Sequence, residues 1–114
     1  MDARQKETLT HHIQKTIAGL KQDIDAFKAL TQPIAPDDSI GRLTRMEAIN
    51  SKSINEAALR KARDKLSRLE RALRNIDDPD FGLCRECEEP IPFARLMAMP
   101  ESGFCVACAK KNSG

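Results

Sequence analysis

Leu59-Arg60-Lys61-Ala62-Arg63-Asp64-Lys65-Leu66-Ser67-Arg68-Leu69-Glu70-Arg71-Ala72-Leu73-Arg74-Asn75-Ile76 decides the fold. Within it Leu59, Ala62, Leu66, Leu69, Leu73 and Ile76 recur by alternating steps of three and four, and nearly every position between them is charged. That spacing draws one narrow apolar seam along an α-helix that packs against another helix. Upstream, Ile13, Ile17, Leu20, Ile24 and Phe27 repeat by four, three, four and three, so a first helix is expected through Leu9 to Leu30. Between the two, Thr31-Gln32-Pro33-Ile34-Ala35-Pro36-Asp37-Asp38-Ser39 places two prolines where a helix cannot continue, then side chains suited to capping a new one. The expected architecture is mainly α: a long antiparallel two-helix coiled-coil hairpin over 1–76, its tip at about 33–41, with the second helix running from about Ser39 to Ile76.

Folding the chain symmetrically about Pro36 sets Phe27 opposite roughly Arg45 and Ile13 opposite roughly Leu59. Leu43, Met46 and Ile49 then meet Ile24, Phe27 and Leu30. The polar run Asn50-Ser51-Lys52-Ser53 interrupts the seam and shifts its phase. In this pairing the first helix offers little to cover Leu66 to Ile76. That surface is expected to pack on the C-terminal module, whose Phe81, Ile91, Phe93, Leu96 and Met97 otherwise lack a core. Asp77-Asp78-Pro79-Asp80 ends the second helix and serves as the joint.

The module, residues 77–114, carries Cys84, Cys87, Cys105 and Cys108 in the spacing C-x2-C-x17-C-x2-C of a four-cysteine zinc ribbon or knuckle pair. Each C-x-x-C lets one tight turn present two sulfurs about 4 Å apart, the edge of a tetrahedron built on ~2.3 Å zinc–sulfur bonds. Four thiolates leave no position for water or substrate, so one structural Zn2+ is expected. A segment this short cannot bury enough surface to fold by itself, and metal is the usual remedy. Two disulfides, or a redox switch that releases zinc on oxidation, are the competing readings of the same cysteines.

Composition bounds the rest. The 114 residues are 40% hydrophobic and 32% charged, with no Trp or Tyr. The formal charge of +2 conceals three segments: residues 1–40 carry minus one, 41–76 plus six, and 77–114 minus three. Four thiolates and a zinc ion would bring the total close to neutral, which weakly supports any general attraction to nucleic acid. No aromatic platform for stacking bases is present either. No apolar run approaches the ~20 residues that cross a bilayer, and the first residues lack the apolar core of a secretion signal. A cytoplasmic protein with no membrane association is expected. No nucleophile, base and orienting group can be proposed together, so the chain is read as no enzyme. His11 and His12 point to different helix faces and do not make a second metal site. The basic side chains from Arg60 to Arg74 surround the second helix instead of forming one stripe.

The segments Asp80-Phe81-Gly82-Leu83-Cys84-Arg85-Glu86-Cys87, Ala94-Arg95-Leu96-Met97-Ala98-Met99-Pro100 and Phe104-Cys105-Val106-Ala107-Cys108 resemble the DksA/TraR family of bacterial RNA polymerase-binding transcription regulators. Asp38-Ser39-Ile40-Gly41-Arg42-Leu43-Thr44-Arg45-Met46 is similar to the start of the second coiled-coil helix in its short members. The resemblance implies a bacterial factor that binds RNA polymerase without DNA, with its coiled coil in the secondary channel and an acidic tip near the active centre. It also implies ppGpp as an effector at that interface. The tip position matches Asp37, Asp38, Ser39 and Ile40, where the aspartates are adjacent and the family's following alanine is absent. Glu88 stands where glycine is common, and Met99 where arginine is usual before the proline. A zinc-ribbon adaptor for another protein or RNA, with the coiled coil as spacer, is the alternative. A monomer is the simplest expectation.

Overall fold

A computed structural model describes residues 1–31 and 42–113. Its elements are four helices, α1 (Ala3–Leu30), α2 (Arg42–Arg74), α3 (Phe93–Ala98) and α4 (Val106–Ser113). The mainly α class expected from the seams is found. The tip residues Asp37, Asp38, Ser39 and Ile40 lie outside the described residues.

α1 starts six residues before Leu9 because Asp2 closes a capping box ahead of it. The Gln5 amide donates to Asp2 Oδ1 at 2.7 Å, and the Asp2 amide donates back to Gln5 Oε1 at 3.2 Å. Two amide donors at the helix start are thereby satisfied by local side chains. An acidic residue followed three positions later by glutamine was the sequence signal for this start, and the apolar periodicity alone did not reach it. At the other end, the Thr31 amide and hydroxyl both donate to the Lys28 carbonyl. α2 ends near the expected joint. The Asn75 amide still reaches the Arg71 and Ala72 carbonyls, and Asp78, Phe81 and Leu83 then form successive turns back to Asn75, Asp78 and Asp80.

The described chain forms two compact units, residues 19–66 and residues 1–18 with 67–114. Each unit combines opposite ends of α1 and α2, which makes the two helices antiparallel. In the first unit, Ile24, Leu59 and Ala62 are buried together, with Leu20, Phe27 and Leu66 packed around them. In the second, Leu9, Ile13 and Leu69 are fully buried, and Lys6 Nζ lies 3.5 Å from Asp77 Oδ1.

These contacts overturn the symmetric pairing. Ile24, not Ile13, shares a cluster with Leu59, an offset of roughly three turns of helix. Met46, Ile49 and Leu30, expected to seal one another, are 56%, 49% and 57% exposed, and Ile54 is 69% exposed. The reason is the polar run at Asn50–Ser53. Symmetric pairing would lay Leu20 beside Lys52, whereas the observed offset lays one uninterrupted apolar seam on the other. Burying each large aliphatic side chain contributes about 1.5–3 kcal/mol. The connection between helices opposes this weakly, since loop-closure cost changes slowly with length. The offset also brings the start of α1 to Leu73 and Ile76, so α1 itself covers part of the seam assigned to the module.

The module packs onto the same end of α2, as expected. Ala72 of α2 and Phe81, Ile91 and Leu96 of the module line one cavity of about 810 Å3. Glu101 is in its wall, and Glu101 Oε2 is buried with no hydrogen-bond partner among the described residues. Ile76, Ile91, Leu96 and the two cysteines Cys84 and Cys108 are all buried in this unit.

The offset pairing makes two substitutions separable. Ile24→Ala is expected to lower unfolding free energy by about 2–4 kcal/mol through lost burial and a residual cavity. Ile54→Ala is expected to stay within about 0.5 kcal/mol of the parent. Denaturant titration followed by circular dichroism at 222 nm distinguishes them, and equal losses would restore the symmetric register.

Candidate metal centre

The two cysteine pairs are presented by different local structures. Around the first pair, the Ile91 amide donates to the Gly82 carbonyl at 2.7 Å and the Cys84 amide to the Glu89 carbonyl at 2.9 Å. Leu83 and Pro90 form an isolated antiparallel bridge between these bonds. The ribbon is closed by a turn in which the Glu88 amide donates to the Cys84 carbonyl at 2.9 Å. Glu88 has φ 61°, in the left-handed region. Glycine reaches that region freely and a residue with a Cβ does not, so the turn holds Glu88 under strain.

The second pair begins a helix. Cys105 stands just before α4, its carbonyl accepts from the Ala109 amide at 2.9 Å, and its Sγ accepts from the Cys108 amide at 3.4 Å. It therefore caps α4. The pairs are tied together where the Arg85 amide donates to the Gly103 carbonyl at 3.0 Å. Gly103 has φ 73°, which favours glycine, and a Cβ there would sit 3.1 Å from Arg85 Nε, so the Arg85 side chain would have to give way. Arg95 of α3 fixes the same loop, with Nε donating to the Phe104 carbonyl at 3.3 Å and Nη2 to Ser102 Oγ at 3.4 Å. Lys111 Nζ of α4 lies 3.8 Å from Glu86 Oε1.

The result is convergence of four sulfurs. The Sγ atoms of Cys84, Cys87, Cys105 and Cys108 all lie within 4.8 Å of one another, and those of Cys87 and Cys105 are 3.8 Å apart. A tetrahedral site with zinc–sulfur bonds of about 2.3 Å has sulfur–sulfur edges of about 3.8 Å. All four are free cysteines, which sets aside the two-disulfide reading. The donor set and its spacing fit one structural zinc ion held by four thiolates. Among the described residues this is the only cluster of three or more potential metal-binding side chains, and His11 and His12 lie outside it.

The thiols are unequal before metal binds. The backbone amide of Cys87, followed by that of Cys105, brings the Cys84 thiol down from 9.0 to about 6, against the effect of burial. At Cys87 the Glu89 amide lowers the pKa, but desolvation and the Cys84 and Cys105 sulfurs leave it raised. Cys108 is raised chiefly by the hydrogen bond it shares with Cys105, then by burial and by the Cys84 and Cys87 sulfurs. Crowded sulfurs accept one negative charge readily and resist the next until a cation compensates them.

Residues 79–113 match the prokaryotic dksA/traR C4-type zinc finger. The chain is 30% identical over 91 residues to the RNA polymerase-binding transcription factor DksA of Escherichia coli K12, covering 78% of this chain and 58% of that protein. With the factor of the same name from Haemophilus influenzae it shares 26% identity over 102 residues, 90% of this chain and 62% of the relative. An uncharacterized protein of Aquifex aeolicus is 32% identical over 76 residues, 65% of this chain and 48% of its own length. The chain thus spans about half to three fifths of these curated relatives. Its fold is similar to that of the transcription factor DksA2 from Pseudomonas aeruginosa, with a TM-score of 0.76, 20% identity, and coverage of 99% of this chain and 86% of the other.

Two outcomes test the centre. Adding zinc to the metal-free protein at pH 7 is expected to release at least the protons of Cys87 and Cys108, because both are raised while Cys84, at about 6, is already largely ionised. The sign for Cys84 is that of a depressed acid: its stabilising contribution is present above its ordinary value of 9.0 and is lost as pH falls through about 6. A pH-stat titration counts the protons, and release of none would refute the order. Glu88→Gly is expected to raise the stability of the zinc-loaded protein by about 0.5–1 kcal/mol, the relief of left-handed strain less the greater entropy of unfolded glycine. Thermal unfolding at fixed zinc concentration measures it.

Proposed function

We propose that this chain, which belongs to the DksA/TraR family, regulates transcription by binding RNA polymerase directly. The observation that carries the reading is the union of two features in one short chain: an antiparallel helix pair and, after its second helix in the chain, a four-cysteine zinc centre of the dksA/traR type. Curated relatives similar over most of this chain bear the name RNA polymerase-binding transcription factor. Under this reading the coiled-coil end that carries Asp37, Asp38, Ser39 and Ile40 enters the secondary channel and modulates initiation. Carboxylates there would act on charge in the polymerase's own active centre, so the chemistry belongs to the partner and the chain is no enzyme.

Zinc serves such a protein by folding a module too small to hold itself together. The four thiolates leave no open coordination position, so the ion supplies structure and no Lewis acidity. The chain would act as a monomer in the bacterial cytoplasm, without sequence-specific DNA contacts of its own, and with ppGpp as an effector at the polymerase interface. No described helix is long and apolar enough to cross a membrane. The positive charge of residues 41–76 supports docking on an acidic protein rim, an attraction that salt would weaken.

Binding is tested by mixing zinc-loaded protein at micromolar concentration with core RNA polymerase, without DNA, at low salt. A complex is expected on gel filtration, and its absence would end this reading. The tip is tested by the double variant Asp37→Asn with Asp38→Asn. It is expected to retain zinc content and helicity and to lose regulation in a purified transcription assay, run with and without ppGpp. Full regulation by the variant would remove the tip assignment while leaving polymerase binding standing.

A further inference from the structure

The four sulfurs differ most in how they are reached from outside. Cys84 is 1% exposed and Cys108 is 9% exposed, whereas Cys87 is exposed and Cys105 is half-buried. The causes are local. Cys84 is clasped by the ribbon, through its amide to Glu89 and its carbonyl from Glu88. Cys108 lies within α4, its amide committed to the Cys105 sulfur. Cys87 stands in the turn itself, immediately before the left-handed Glu88. One edge of the sulfur tetrahedron, the 3.8 Å edge from Cys87 to Cys105, is therefore presented outward, and the opposite edge, Cys84 to Cys108, faces the protein.

We propose that zinc enters and leaves this site across the Cys87–Cys105 edge, with Cys87 the first sulfur to release the ion and the last to take it up, while Cys84 and Cys108 anchor it. The exchange is a ligand substitution. A donor atom of an incoming chelator, nitrogen, oxygen or thiolate sulfur, forms a bond to zinc as the zinc–Cys87 bond breaks. The electron pair stays on the Cys87 sulfur, which then takes a proton from water. Zinc remains divalent throughout and no oxidant takes part. Because only the turn at Arg85–Glu88 has to yield for the first bond to break, exchange begins without prior unfolding of the module, whose ribbon and α4 stay attached through Cys84, Cys105 and Cys108 until those bonds break in turn. Soft electrophiles would meet the site at the same edge, so Cys87 is also the thiol they would reach first.

The full zinc-loaded chain tests this directly. Zinc is withdrawn with increasing 4-(2-pyridylazo)resorcinol, whose colour reports transfer, in the presence of substoichiometric N-ethylmaleimide, and the label is mapped by peptide mass spectrometry. At half release Cys87 is expected to carry about tenfold more label than Cys84 or Cys108, because local opening at a turn is far more frequent than global unfolding. The rate of zinc transfer is expected to rise with chelator concentration. Equal labelling of the four cysteines, first labelling of a buried one, or a transfer rate independent of chelator would overturn the proposal, since each means that release waits on unfolding. As a second arm, Cys87→Ser is expected to lose zinc about tenfold faster than the parent in the same assay. A parent-like rate would count against Cys87 as the first ligand to leave.

Discussion

Burial of two apolar seams against each other governs the helical part of this protein. Each of α1 and α2 carries one stretch in which large aliphatic residues recur without interruption, Leu9 to Phe27 on one and Leu59 to Ile76 on the other. Only when these stretches lie side by side does neither face a polar run. Ile24 clusters with Leu59 and Ala62 in one unit, and Lys6 lies 3.5 Å from Asp77 in the other. The ion pair follows from the register and does not set it, since an exposed Lys–Asp pair is worth at most about 1 kcal/mol and the seam is worth several times that. Met46, Ile49 and Ile54 are left on the surface as the cost of the offset.

The zinc module is governed differently, by a set of backbone devices that aim sulfur atoms. Glu88 and Gly103 in left-handed conformations, a short ribbon at Gly82–Ile91 and the first turn of α4 together bring four side chains within 4.8 Å. Hydrophobic burial in this segment contributes Ile91, Leu96 and Pro100, with Phe81, Phe93 and Met97 half-buried. Metal coordination adds to the folding energy of so small a segment, and crowding four acids makes the last protons hard to remove until a cation takes their place. The sulfurs share one ion yet differ in burial, which separates holding the ion from exchanging it.

The functional reading and the zinc centre occupy different parts of the chain. A closed tetrathiolate site performs no reaction, so any regulatory action has to come from surfaces the metal does not touch. The charge distribution agrees with a protein partner: the basic excess is concentrated in 41–76, while the module is acidic before metal and more so after it. A nucleic-acid binder would be expected to carry its positive charge across a continuous face.

The sequence by itself determined the two helices, the joint after Ile76 and the four metal-binding cysteines, because each is written in local spacing: three-and-four steps, a proline among aspartates, and paired C-x-x-C turns. It also carried the Asp2–Gln5 capping box, legible in retrospect from residue types three apart. The register of α1 on α2 was decided by tertiary structure, since pairing about the connecting prolines is only one of several alignments and the choice depends on summed burial along both helices. The ranking of the four sulfurs was decided there too. Cys84 and Cys87 are indistinguishable as members of one C-x-x-C, and only folding puts the first beneath a backbone ribbon and the second in the turn at its end, where solvent reaches it.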